Sequence, residues 1–561
     1  MLACDRITTP LTASDPGVWS VTRDGGTPFR WEGFYTGPLE LDRAALTVAT
    51  RRLLDISLDD VPAAAQRVLR PAGGDRGDEI ALIMHSATPG LRSLEADLAD
   101  AESRRTPDDV ATYVEARAVS LARPGDVVVG RTAPWRLAAE LATLERVTIP
   151  DVEHYYLTHA IIKLALDSGG RAPQLARLTA LLRARPGTLV RLYALDREMQ
   201  IVLLTLARLA GLDEIRTDAN SPAVAAHWNA KAPLHPTVDD ALGLQIGTRD
   251  PREVLAAESS LTALHRRLGV GTPLLPGYTI DATELERDAF SEQLVSAARL
   301  LSQRYGLRLG CLKPSEAGAG ARIVTAIALD DPARLLALAT QAWHSREAYV
   351  LEAHVAYDRV RVDSENELLI APSGHIRAGA VAEGLTLQIT SGTSWQGNVF
   401  LDGEACESMG LAREHYRAIV DAITELRAAF AARDLSLVTA GFDFAVGRVG
   451  GSFGDDALVA LQDPNLSSHG AEYLRHFLDG VRAAGGPPYA ATKVVCPAPG
   501  QTLDALRIVA REGGFTAMSS IPGRWGMIAT ASESPRAAAK EILGRARELK
   551  RRGLIVGVAQ R

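Results

Sequence analysis

Residues 441–468 read GFDFAVGRVGGSFGDDALVALQDPNLSS, and the reading of the whole chain starts from them. The run from Phe442 to Val449 is rich in Phe and Val, and Ala457 to Gln462 is rich in Ala, Leu and Val. GGSFGDD between them is turn chemistry, so the stretch predicts two strands joined by a glycine-rich turn. An antiparallel hairpin keeps the sum of opposed residue numbers constant. A turn centred on Phe453 therefore sets Asp443 across from Asp463, with Cβ atoms roughly 5 Å apart. Asn465, two residues further on, shares their face. Two carboxylates and an amide oxygen are hard donors suited to Mg²⁺, and without a cation the two acids repel. From these residues alone, the alternative is an exposed hairpin that ends in acids.

Bulk properties narrow the class. The chain has 561 residues, 47% of them hydrophobic and 23% charged, with a net charge of −7. That describes a globular protein of several domains. A mildly acidic balance without long Lys/Arg runs argues against a nucleic-acid surface. No apolar run reaches the roughly eighteen residues of a membrane span; MQIVLLTLARLAGL comes nearest and Arg208 interrupts it. MLACDRITTP lacks the apolar core of a signal peptide. Cys4, Cys311, Cys406 and Cys496 show no CxxC spacing, so neither a disulfide frame nor a zinc site is signalled. A reduced, cytoplasmic setting is the expectation.

Upstream, strand-like runs (IALIMHS, DVVVG, TLVRLYAL, DEIRTD) alternate with helical ones such as VEHYYLTHAIIKLALDS and DREMQIVLLTLARLAGL. Strands separated by helices of that length imply βαβ units and a mostly parallel sheet. No GxGxxG follows any of these strands, which argues against a dinucleotide site. NSPAVAAHWNAKAPLHPTVDD is turn-rich and reads as the passage into a second domain. Further on, GTSWQG misses GxSxG by one place, which excludes a serine hydrolase elbow. The C-terminal part reads βαββα after Pro487 and Pro488.

A second informative stretch is LRLGCLKPSEAGAGARIVTAIA, residues 307–328. A strand delivers Lys313 to a loop, PSEAGAGA, and a second strand follows. A lysine beside backbone with few side chains suits phosphate: the ammonium meets oxygens directly, and amide N–H groups can approach. GxxxxGK[ST] is absent, so this is not a Walker A loop. A hairpin turn without a ligand is the competing reading.

Taken in order, strand–Lys–Pro–Ser–Gly-rich loop–strand, then VLEAHV, FDF and DPN, the chain resembles the ATP-grasp superfamily of carboxylate–amine ligases over about residues 220–485. Within it, the chain looks most like pheganomycin-type natural-product peptide ligases. The resemblance implies an α/β and α+β fold: N-terminal helices plus a pre-ATP-grasp βαβ domain (1–225), a catalytic domain of two α+β subdomains enclosing ATP (226–486), and a small α+β domain (487–561). It makes Lys313 the lysine on the ATP phosphates, and Ser315, Gly318 and Gly320 part of the lid over them. Glu352 would take the adenine amine, with the backbone around Val355 beside it, and Asp358 would meet the ribose. Asp443, Asp463 and Asn465 would hold Mg²⁺, and Lys231 would be the earlier phosphate-side lysine. Three departures stand out. Asp463 replaces the usual Glu, Pro464 takes a strand-compatible place, and Leu466 and Ser467 stand where an Arg often follows. Arg377 is the substitute cation that this reading names.

The implied chemistry joins a small carboxylate to an amine co-substrate at the expense of ATP, through an acyl phosphate, releasing ADP and phosphate. Its alternatives are a carboxylase, an acid–thiol ligase or a non-catalytic ATP-binding module. Nucleic acid and membrane are not expected as partners, and a homodimer is left open.

Overall fold

The computed structural model describes residues 18–21, 29–32, 43–73, 79–86, 110–131, 144–150, 156–184, 188–227, 275–283, 285–315, 322–432, 434–498, 501, 503–521 and 525–556. A two-stranded hairpin comes first, β1 (Val18–Val21) and β2 (Phe29–Glu32). Then comes a six-stranded parallel sheet of β3 (Leu69–Pro71), β4 (Ala81–Met84), β5 (Val127–Arg131), β6 (Glu145–Ile149), β7 (Leu189–Leu192) and β8 (Ile215–Thr217). Its order is β3-β8-β7-β4-β5-β6, so the winding reverses between β4 and β7. In such sheets ligands gather beyond the carboxyl ends of the strands at that reversal. Helix Arg197–Ala210 shows why the sequence reads so apolar here. Asp196 caps it by accepting from the Met199 N–H at 2.9 Å, Gly211 ends it in the left-handed region, and its body is buried almost all round. No described helix is long and apolar enough to cross a membrane.

The next unit is a four-stranded antiparallel sheet, β9 (Gly277–Asp281), β10 (Leu309–Pro314), β11 (Val324–Ala328) and β12 (Ala348–Ala353), in the order β11-β10-β12-β9. Helices Arg287–Tyr305 and Pro332–Trp343 pack on it; Phe290, Leu294, Leu301, Leu335 and Leu338 form the shared core.

The rest of the chain builds one large antiparallel sheet. Its strands are β13 (Ala356–Tyr357), β16 (Pro372–Arg377), β17 (Ala380–Val381), β18 (Leu385–Ser391), β19 (Ser394–Leu401), β20 (Ala440–Arg448), β21 (Leu458–Asn465), β22 (Tyr489–Val495), β23 (Thr516–Ile521) and β24 (Trp525–Ser532). The short hairpin β14 (Arg359–Arg361) and β15 (Glu367–Leu369) stands apart. The main path is β13-β20-β16-β18-β19-β22-β24-β23, with β21 on β20 and β17 on β16. One face is covered by helices Arg413–Ala431, Leu503–Gly513 and Pro535–Arg551, in a core that includes Ile376, Leu387, Ile423, Phe442, Ile528 and Ile542.

The expected fold class is therefore observed: a parallel βαβ unit followed by two α+β units. The expected βαββα order is also found from Tyr489 onward. Its strands, however, extend the large sheet, with β22 hydrogen-bonded to β19, and its helices share the same core. Residue 487 thus marks a tight connection and not a break in sheet or core. The preceding helix ends at Ala483, where Gly485 turns left-handed and the Gly486 N–H bonds the Val481 carbonyl, without ending the hydrophobic unit.

Candidate active site

The hairpin β20–β21 positions the site. Its period-two pattern gives it two different faces. Phe442, Phe444, Val446, Val459 and Leu461 enter the large core, while Ala445 and Ala460 enter the core of the four-stranded sheet. Each buried Phe contributes roughly 1.5–3 kcal/mol, and the small alanines let the second sheet come close. Asp443 follows on that alanine side, and Asp463 lies opposite it across the pair. The tip docks on helix Arg287–Tyr305: Ser452 donates to the Tyr305 carbonyl at 2.9 Å. Gly451 is required there, because it has φ +61° and a Cβ would strike the Tyr305 carbonyl oxygen.

The register is the one the sequence arithmetic expects. Asp443 pairs with Asp463, and Gly441 with Asn465. Pro464 sits opposite Phe442 on β21, an edge strand in which its missing N–H is tolerated. One feature was not legible: the register shifts between Asp443 and Phe444, which pairs with Leu461, so Gln462 is an extra residue in a β-bulge. The bulge turns Gln462 to Lys313. Nζ of Lys313 donates to the Gln462 carbonyl at 3.1 Å and to its Oε1 at 3.3 Å.

Lys313 lies on β10 opposite Val350 of β12, and Glu352 lies opposite Cys311. The two are diagonal neighbours on one face, and their Nζ–Oε1 distance is 2.5 Å. Both are buried. Burial alone would lower the Lys313 ammonium, but the Glu352 carboxylate holds it above its ordinary value. Nearby, burial pushes the Cys311 thiol up to about 12 and raises the Tyr357 hydroxyl, which lies within the fields of Lys313, Glu352 and Asp443.

Asp443 is held from several sides. Ser373, paired with it across β16 and β20, donates its hydroxyl to Oδ1, and Asn465 donates Nδ2 to Oδ2 at 3.1 Å. Gln388 supports the serine, donating to its Oγ at 2.8 Å. Even so, burial and then the facing Asp463 push the Asp443 carboxyl up to about 6. Among the described residues no group of three or more His, Cys, Asp or Glu is placed to hold a metal. The hairpin instead offers two opposed carboxylates and an amide, the sparse oxygen set that Mg²⁺ uses when phosphates complete its shell. Burial first, and then the facing Asp463, make the Asp443 carboxylate costly to leave without a counter-charge.

The remaining expected residues divide. Ser315 is buried just past β10, and its N–H donates to the Ala348 carbonyl at 2.8 Å. Val355 is buried between β12 and β13. Asp358 sits beside Val446, farther along β20, and pairs with Arg448 at 3.5 Å. Arg377 is not gathered with the others. It ends β16, four residues beyond Ser373 and thus roughly 13 Å along the strand at about 3.3 Å per residue, and it pairs with Asp479 at 3.1 Å. Lys231, Gly318 and Gly320 lie outside the described residues. Ser373, Gln388, Tyr357 and Gln462 are the site residues that the sequence reading missed. Only Gln462, one place before Asp463, was within reach of local inspection.

Comparison with known proteins returns no matching family model and no matching curated protein. Among solved structures the chain is similar to the purK N5-carboxyaminoimidazole ribonucleotide synthetase in its ADP complex, at 12% identity over 86% of this chain and 99% of that one, with a TM-score of 0.43. It is similar to the biotin carboxylase domain of the Hydrogenobacter thermophilus 2-oxoglutarate carboxylase, at 12% identity over 84% of this chain and 90% of that one, with a TM-score of 0.45. It is also similar to the D-cycloserine synthetase DcsG, at 13% identity over 63% of this chain and 97% of that one, with a TM-score of 0.30.

Proposed function

We propose that the chain is an ATP-dependent ligase of the ATP-grasp type, joining a small carboxylate to an amine. One observation carries the reading: the Gln462 bulge ties the buried Lys313 ammonium to the strand that presents Asp463 to Asp443. A buried cation on the four-stranded sheet is thus joined to the strand that carries the acid pair, the two kinds of group that a nucleotide's phosphates and their metal require.

In this reading Lys313 meets the phosphate oxygens, and its raised pKa keeps it charged throughout the physiological range. Asp443, Asp463 and Asn465 would hold Mg²⁺, which would supply charge neutralisation to the transferring phosphoryl group. Ser373 and Asn465 orient Asp443 through their donated hydrogen bonds. A carboxylate oxygen attacks the γ-phosphorus and ADP leaves. The amine nitrogen then attacks the acyl carbon, phosphate leaves with the bonding pair, and the nitrogen gives up a proton, leaving the amide. An amino acid or a derivative of one, in the assembly of a small peptide-like product, is the substrate class that this reading favours.

The test is an ADP-release screen of amino acids and small carboxylates, with and without amine partners, read by product mass. An amide of matching mass supports the proposal. ADP formed with a carboxylated or thioester product replaces it with one of the related outcomes. Absence of nucleotide binding overturns it.

A further inference from the structure

The acid-bearing end of the β20–β21 hairpin is its weak end. Beyond the bulge at Gln462, only the Gly441–Asn465, Phe442–Pro464 and Asp443–Asp463 pairs remain. Pro464 has no N–H for the ladder, and the two carboxylates oppose each other. A short segment past a bulge is poorly held in register by its own ladder. Something outside the hairpin must hold it.

Asn220 of the parallel-sheet unit is placed to do so. It follows β8, is 2% exposed, and reaches the roots of both strands. Its Nδ2 donates to the carbonyls of Thr439 and Leu466, each at 2.8 Å. Its Oδ1 accepts from the N–H groups of Val438 at 2.7 Å and Thr439 at 3.1 Å. Thr439 immediately precedes β20 and Leu466 immediately follows β21. A carboxamide has two donor hydrogens and two acceptor lone pairs, and all four are used on these two strand roots. Two more links run from the same unit to the segment just downstream: Ser468 N–H donates to the Tyr193 carbonyl at 2.9 Å, and buried Arg117 bonds the His469 carbonyl and, at 2.8 Å, Glu472.

We infer that Asn220 is a positioning residue for the acid pair: it clamps the roots of β20 and β21 so that Asp443, Asp463 and Asn465 converge on a divalent cation. The inference rests on the metal–nucleotide reading of this site. It makes the parallel-sheet unit part of the metal site although it supplies no ligand. Residues that orient metal ligands typically cost 10–100-fold in metal affinity when removed.

The experiment titrates Mn²⁺ into the full chain with a non-hydrolysable ATP analogue and follows free Mn²⁺ by electron paramagnetic resonance. Asn220→Ala is expected to weaken Mn²⁺ by about tenfold or more. Asn220→Asp sets a buried carboxylate oxygen against the Thr439 and Leu466 carbonyls in place of the two donated bonds, and should weaken Mn²⁺ at least as much. Leu549→Ala, on helix Pro535–Arg551, which packs on β22 and β24, destabilises the fold and should leave Mn²⁺ affinity unchanged. Equal Mn²⁺ affinity in wild type and Asn220→Ala overturns the inference alone, whereas a wild-type chain that binds no Mn²⁺–nucleotide overturns the functional reading as well. If the Asn220 variants do not fold, amide exchange on the wild type decides. Metal and analogue should slow exchange at Val438 and Thr439, and unchanged exchange there overturns the inference.

Discussion

Lys313→Met would leave the Glu352 carboxylate buried without its lysine, the costly way to break an internal ion pair. The expected loss is about 3–5 kcal/mol, seen as a lower unfolding midpoint. Adding Glu352→Gln to the same chain should recover most of that stability but not nucleotide affinity, because the phosphate-facing cation is still gone. A double-mutant cycle in thermal unfolding and in nucleotide binding separates the two effects. Asp443 gives a second prediction at this scale, with a definite sign. Its folded-state carboxyl, at about 6, lies above its ordinary 3.8, so between those values the folded chain binds more protons than the unfolded one. Stability must then fall as pH rises through that window, by on the order of 3 kcal/mol in all, and the cost is fully present at pH 7. Asp443→Asn should raise the unfolding midpoint at pH 7 and flatten its dependence between pH 4 and 6, while abolishing metal-dependent turnover. Residues of this kind were legible one at a time. Lys313, Asp443, Asp463 and Asn465 each sit in a local pattern of strand, turn and spacing. Ser373 was not, because nothing local tells β16 that it will lie beside β20. Arg377 was named for its charge, and Asp479 accounts for that charge.

At the scale of the element, the hairpin's alternation and turn residues fixed which residues face each other, and the structure keeps that pairing at the acids. The bulge is the part that pattern reading passed over, since an extra residue leaves the hydrophobic sequence on both sides intact. Its consequence can be measured. Deleting Gln462 lets Leu461 run directly into Asp463, so the acids can still pair, but Lys313 loses both acceptors on that strand. We expect turnover to drop by roughly 10²-fold, the scale at which small misplacement acts, with Mn²⁺ binding largely retained. Loss of Mn²⁺ binding in the deletion would show that the bulge serves the acids and not the lysine.

For the whole molecule, the order of units followed from the period of the hydrophobic pattern: parallel βαβ first, antiparallel strands after. The connections between distant strands did not, because pairing across a sheet depends on contacts that no short window contains. The Pro-Pro turn at residue 487 looked like a boundary for that reason. Truncation there tests the difference. Removing residues 487–561 strips β22 from the edge of β19 and takes Ile528, Ile542 and Leu549 out of the core. The shortened chain is expected to be insoluble or open to protease at β18 and β19, whereas an independent terminal domain could be removed without such damage.

The same continuity governs the order in which the protein can be made. β19 pairs with β18 at once but acquires its second neighbour only when β22 has been synthesised, about 90 residues later. Until then it is an open, apolar sheet edge, the kind of surface that pairs with other chains. Val399 and Leu401 lie on that edge and in the core. Newly made chains therefore pass through a stage in which the strands bearing Asp443 and Asp463 already exist but the sheet beneath them is incomplete. The period of greatest aggregation risk falls late in translation, and the last strands to emerge are the ones that close it.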